Sequence, residues 1–234
     1  MKLNKLVSAI ALIASSSAFA TSITPTVSFS PGTTLNTSAL SSFTTSGAQM
    51  AGTSVTAYFS GGASETVSWL AGTAPAGAAT GTGWSLGFAG STTFSPFWEL
   101  LTTTASITRL VIDGRPGDTI FDTILDPETS PGSARGTAFS SVDGPAGLAV
   151  TAAYTNQVGI GGTVYGDLFT VLDIGFSQLT GGGGLEAGSS LIFTADTDNT
   201  LIAGDITNVP EPGTMALLGL GLVGLTYRRR KAKA

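Results

Sequence analysis

Leu168-Phe169-Thr170-Val171-Leu172-Asp173-Ile174-Gly175-Phe176 is the longest alternating stretch in the chain. Leu168, Thr170, Leu172, Ile174 and Phe176 share one face if the segment is extended, because successive strand side chains point to opposite sides. The same grammar recurs on both sides of it. Leu148-x-Val150-x-Ala152-x-Tyr154 precedes it, and Leu191-x-Phe193-x-Ala195 follows after the glycines Gly181 to Gly184. Earlier in the chain stand Val55-x-Ala57-x-Phe59, Val67-x-Trp69 and Trp84-x-Leu86-x-Phe88. Gly61-Gly62, the small-residue stretch Ala71 to Gly83 and Asp113-Gly114 break them as turns do. Phe97 to Leu101 and Ile107 to Ile112 are more continuously apolar, which predicts burial on both faces or a central place in a sheet.

No amphipathic helical stretch of useful length interrupts this series. The expected fold class is therefore all-β: a β-sandwich over residues 51–207, with the jelly roll as one form of it. The Ser/Thr-rich residues 21–50 are weakly periodic and read as a loose N-terminal arm or an edge strand.

Composition agrees with a single packed domain. The chain has 234 residues, 42% of them hydrophobic, and 32 glycines. That suits short strands joined by tight turns and gives enough apolar surface for a core. Cys and His are both absent. Ser-His-Asp and Cys-His catalysis are thereby excluded, as are the commonest zinc ligands. The charges are partitioned. Between Thr21 and Thr226 three arginines face all 15 acidic residues, a net of −12 that the whole-chain value of −5 conceals. Such a body repels nucleic acid and anionic lipid, so no nucleic-acid partner is expected.

The two ends read as addresses. Lys2 and Lys5, the apolar run Leu6 to Ala14 and Ala18-Phe19-Ala20 follow the order of a secretory signal peptide. Signal peptidase is expected to cleave after Ala20, removing a signal-peptide helix over residues 1–20. At the other end, residues 208–234 contain Pro210-Glu211-Pro212, an uncharged apolar stretch from Thr214 to Tyr227, and Arg228-Arg229-Arg230-Lys231. The prolines impose a stiff, extended segment. The apolar stretch suits a helix in lipid, although its 14 residues fall short of the roughly 20 that span a hydrocarbon core untilted. The basic cluster belongs on the cytoplasmic side, with the body outside.

This tail resembles the PEP-CTERM sorting signal of Gram-negative bacteria, which exosortase recognises. The resemblance rests on Pro210, Glu211, Pro212, the apolar helix and Arg228, Arg229 and Arg230, in that order. It implies a transmembrane intermediate at the inner membrane, removal of the helix, and transfer of the body to the cell surface or an exopolysaccharide matrix. A permanent single-span anchor is the alternative. Ile107 to Gly117, Phe121-Asp122, Pro131 to Phe139, Gly166 to Phe169 and Leu191 to Asn199 also resemble segments of PEP-CTERM proteins, more loosely. They imply an extracellular β-domain and name no reaction.

Candidate chemistry in the body is sparse. Asp196, Asp198 and Asn199, with Asp205 nearby, are the best metal candidates. Clustered oxygen ligands suit Ca²⁺, but Leu201 and Thr207 stand where an EF-hand needs Gly and Glu. Asp167 and Asp173 are further donors from other loops. The competing reading of Asp196–Asn199 is an Asx-rich turn at a strand end. Asp113, Asp118, Asp122, Asp126 and Glu128 form an acidic stretch whose separations the sequence does not fix, as a glycosidase pair would require. Trp69, Trp84, Trp98, Tyr58, Tyr154 and Tyr165 suit either a sugar-stacking platform or the core. Arg109, among apolar neighbours, calls for an acidic partner.

The leading expectation is a non-enzymatic matrix protein associated with exopolysaccharide or biofilm. The alternatives are a carbohydrate-binding or adhesive module for cell-surface glycans, with calcium dependence as an option, and a carboxylate-based glycan hydrolase.

Overall fold

A computed structural model describes residues 23–41, 44–94, 97–123, 136–179 and 183–209. The signal peptide and the apolar tail lie outside these residues, as do Asp126, Glu128 and Arg135. Sixteen strands occupy most of the rest: β1 (Thr26–Phe29), β2 (Leu35–Thr37), β3 (Ser54–Phe59), β4 (Ser64–Ser68), β5 (Leu70–Ala71), β6 (Gly77–Gly81), β7 (Trp84–Phe88) and β8 (Trp98–Thr102) in the first half. β9 (Ile107–Asp113), β10 (Thr119–Asp122), β11 (Ser140–Asp143), β12 (Leu148–Ile160), β13 (Thr163–Gln178), β14 (Ser190–Thr194), β15 (Asp196–Asn199) and β16 (Thr207–Asn208) follow. The only helical elements among the described residues are two 3-10 turns, at Gly47–Met50 and Arg115–Gly117. No helix among the described residues is long and apolar enough to cross a membrane.

The strands form two sheets. The larger runs β16-β2-β12-β13-β9-β3-β4, with β1 also paired to β12, and with β10 bridging β13 and β15. The smaller runs β11-β14-β8-β7-β6-β5. The alternating stretch at Leu168–Phe176 lies in β13, whose hairpin with β12 is the spine of the larger sheet. Gly161 and Gly162 make its two-residue turn with φ of +59° and +88°. Positive φ at both turn positions matches the right-handed twist of the flanking strands, and glycine adopts it without a Cβ clash.

Periodicity decides the core. β7 buries Trp84, Leu86 and Phe88 and turns Ser85 and Gly87 outward. These residues meet Trp98, Leu100 and Phe193 of the same sheet and Val55, Leu110, Ile112, Leu172 and Ile174 of the other, in one apolar cluster. A second cluster, Leu35, Leu40, Ile120, Val158, Ile160, Leu168 and Ile206, packs beneath the N-terminal strands. β10 and the stretch Asp167–Thr170 of β13 are consequently buried on both faces.

The continuous apolar runs hold central places without double burial. β9 lies between β13 and β3 and buries Ile107, Leu110 and Ile112 while Arg109 is exposed. β8 lies between β14 and β7 and exposes Glu99 and Leu101. Each has a single apolar face against the core, so the half of the expectation that required burial on both faces is corrected. Arg109 finds the acidic partner its position called for: its Nε and Nη2 donate to the Asp173 carboxylate at 2.7 and 2.6 Å. Its guanidinium also lies 4.9 Å from the Tyr58 ring centroid. The pair is half exposed, so it contributes no more than ~1 kcal/mol.

Residues 23–41 are built into the larger sheet. β1 and β2 both run parallel to β12, with Thr26 opposite Thr151 and Leu35 opposite Val158.

Candidate functional site

The carboxylates Asp196 and Asp198 sit on β15, not in a turn. Once β14 leaves the smaller sheet at Ala195, the chain pairs with β10, placing Asp196 opposite Asp122 and Asp198 opposite Ile120. This corrects the Asx-turn reading: ladder pairing satisfies the backbone groups that a turn would otherwise have handled. Asp196 and Asp198 are buried, as are Asp122 and Asp167. None of Asp122, Asp167 and Asp198 is without a partner.

Thr93 organises the outer side of β15. Its hydroxyl donates to Asp196 Oδ1 at 2.8 Å and accepts the Thr197 N–H at 2.8 Å. Burial, with the Asp122 charge as a smaller contribution, pushes the Asp196 carboxyl up from 3.8 to about 7, against the opposing Thr93 hydrogen bond.

The other calcium candidates turn elsewhere. Asn199 Oδ1 accepts from the Thr45 hydroxyl at 2.9 Å, and its amide donates to the Gln49 carbonyl at 3.2 Å. Asp205 Oδ2 accepts from the Ser38 hydroxyl and backbone N–H and from the Thr37 hydroxyl. The Ser38 hydroxyl and N–H, then Thr37, hold its carboxyl below the usual range. Among the described residues, no three His, Cys, Asp or Glu side chains group so as to hold a metal ion. Asp173, the further donor from another strand, is committed to Arg109. Asp113 accepts from the Arg115 N–H, and Asp118 from the Gly204 N–H, both as loop ties.

The aromatic candidates divide. Trp69, Trp84, Trp98 and Tyr154 are core residues, each 2% exposed or less, which corrects the stacking-platform reading for these four. Trp98 packs against Trp69, Phe88 and Phe193 with ring centroids 5.4–5.8 Å apart. Each tryptophan N–H has an acceptor, so the polar handle is satisfied: Gly47 O for Trp69, Glu65 Oε2 for Trp84 and Ala195 O for Trp98. A Cβ on Gly77 would collide with both the Gly47 carbonyl and the Trp69 indole nitrogen, so glycine is required there. Tyr165 alone of the six aromatic candidates is well exposed.

Glu65 is the side chain that sequence reading passed over. On β4 it shares the inward face with Val67, opposite the buried Ala57, and reaches the β6–β7 turn. It accepts from the Thr82 N–H, the Thr82 hydroxyl and Trp84 Nε1 at 2.8–3.0 Å. The Thr82 N–H first, then Trp84, holds the carboxyl below its ordinary value. Beside it lies an open depression of about 450 Å³ lined by Phe59, Glu65, Thr82, Thr104 and Ala105. Alternation with Val67 and Trp69 places Glu65 on the inward face, but no local pattern signals its donors, which belong to the other sheet.

The chain's most specific functional feature is its sorting segment. Residues 208–231 match the PEP-CTERM protein-sorting motif family. The motif marks an exported, surface-directed chain that exosortase processes. No curated protein and no solved structure matches this chain. Only Asn208 and Val209 of the matched segment fall among the described residues, and both are hydrogen-bonded to the body. Asn208 pairs with Leu35, and the Val209 N–H donates to the Thr34 carbonyl at 3.2 Å.

Proposed function

We propose that this chain, a bearer of the PEP-CTERM motif, is a non-enzymatic surface or matrix protein whose two sheets form a sandwich-like scaffold delivered to exopolysaccharide or biofilm. The observation that carries this reading is the sorting motif joined directly to a folded β-body through β16. The inserted tail holds the body outside the inner membrane until exosortase removes the helix. Glu211 lies between the two prolines of the motif. Glu211→Ala, followed by fractionation and immunoblotting, is expected to leave the chain membrane-bound at its unprocessed size. Unchanged size and location relative to wild type count against the reading.

The depression beside Glu65 favours a second reading, a glycan-binding module. It offers the Phe59 ring, the Thr82 and Thr104 hydroxyls and an ionised carboxylate, the mixture that stacks on and hydrogen-bonds to a sugar. The ionised Glu65 and the acidic body select for neutral sugars. Titration of the purified body with neutral oligosaccharides is expected to release heat that Phe59→Ala abolishes. Equal heats from both proteins, or none from wild type, argue against it.

A further inference from the structure

The larger sheet ends in an edge whose own segments carry no charged residue. Three segments far apart in sequence build it: residues 23–41 carrying β1 and β2, residues 155–166 at the β12–β13 hairpin tip, and residues 206–209 carrying β16. None of the three contains Asp, Glu, Lys or Arg. That is unusual in a body whose net charge is −12. Asp205, next to β16, brings one carboxylate to it, held on Thr37 and Ser38. The edge nonetheless exposes large apolar side chains: Phe29 (53%), Val209 (43%), Val164 (45%) and Tyr165 (40%).

The sorting tail leaves from this same edge. Val209 is bonded to Thr34, and only Pro210 to Gly213 separate it from the apolar stretch that begins at Thr214. Five Cα steps, fully extended, reach at most ~17 Å. The headgroup layer itself takes roughly 5–8 Å of that. A body tethered so closely cannot tumble freely, and some face of it must lie against the lipid.

We propose that the charge-poor edge of β1, β2, β16 and the β12–β13 hairpin tip is the face that rests on the bilayer headgroups while the tail is inserted. The inference deepens the proposed function and rests on its membrane intermediate. Electrostatics and apolar contact select the same orientation. Anionic lipid repels the acidic remainder of the body more than the edge, where Asp205 on Thr37 and Ser38 is the near carboxylate. Tyr165 suits the interface, where an aromatic body enters the acyl boundary and a polar tip stays wet, and Phe29 adds apolar area. The opposite edge, β4, carries Glu65 and faces away.

The chain has no Cys, so one introduced Cys is a unique labelling site. The full chain is reconstituted without exosortase into phosphatidylcholine–phosphatidylglycerol vesicles and labelled with a fluorophore at Tyr165→Cys, at Ser64→Cys on the far edge, or at Val223→Cys in the tail. A headgroup-attached quencher is expected to quench the label at position 165 several-fold more than the label at 64, and an acyl-chain quencher to quench the label at 223. Equal quenching at 165 and 64, with 223 quenched, overturns the docking face alone. An unquenched 223 overturns the membrane intermediate and the docking face with it.

Discussion

Trp98→Ala is expected to lower the unfolding free energy by ~3–5 kcal/mol, enough to remove much of the stability of a domain this size. Trp98 is 1% exposed and touches three other aromatic rings drawn from both halves of the smaller sheet and from the Trp69 corner. Its removal strips ring contacts from Trp69, Phe88 and Phe193 at once and leaves the Ala195 carbonyl without its donor. That carbonyl lies where the chain passes from β14 to β15, so the loss loosens the joint between the sheets as well as the core. Urea unfolding of the purified body measures the effect. Leu101→Ala, one face over on the same strand and 39% exposed, is the control and is expected to cost well under ~1 kcal/mol. Comparable midpoints for the two variants would contradict the assignment of Trp98 as the central packing residue.

The second large effect is pH-dependent. Asp196 titrates at about 7 in the folded chain against 3.8 for the free group. The folded state therefore binds more protons between those values, and stability falls as pH rises through that window. The carboxyl contributes no penalty below about pH 4 and its full penalty above about 7. At ~1.4 kcal/mol per tenfold change in proton affinity, the full penalty is at most ~4 kcal/mol. Asp196→Asn removes the titrating group and keeps an oxygen for the Thr93 hydroxyl. The variant is expected to be clearly more stable than wild type at pH 8 and nearly equal to it at pH 4.5. Thermal unfolding across that range reads the difference, and parallel curves for the two proteins would show that Asp196 is not the group concerned.

Both expectations rest on features that the sequence showed in unequal degree. The alternation of Trp84, Leu86 and Phe88 is enough to predict a half-buried strand, and β7 has that burial pattern. The stretch from Leu168 to Phe176 likewise lies within a strand, although β13 runs from Thr163 to Gln178. The sequence does not reveal that Arg109 pairs with Asp173, because 64 residues separate them and only the β9–β13 register brings them together. Asp196 to Asn199 misled for a related reason. Asp and Asn favour turns locally, but a buried ladder partner outweighs that preference. The Glu65 clasp was only half legible, since alternation with Val67 and Trp69 puts the carboxylate on the inward face but its donors come from another sheet.

By itself the sequence determined the β class, the acidic character of the body and the sorting address. These are local properties: a period of two, a count of charges, and a linear motif. The tertiary structure alone decided which strands are neighbours, that the tryptophans face inward, and that Asp196 is buried beside Asp122. It alone gathered three uncharged segments at the edge from which the sorting tail leaves. Pairing between distant strands is set by the joint burial of their apolar faces, a condition on the whole chain that no single stretch of it expresses.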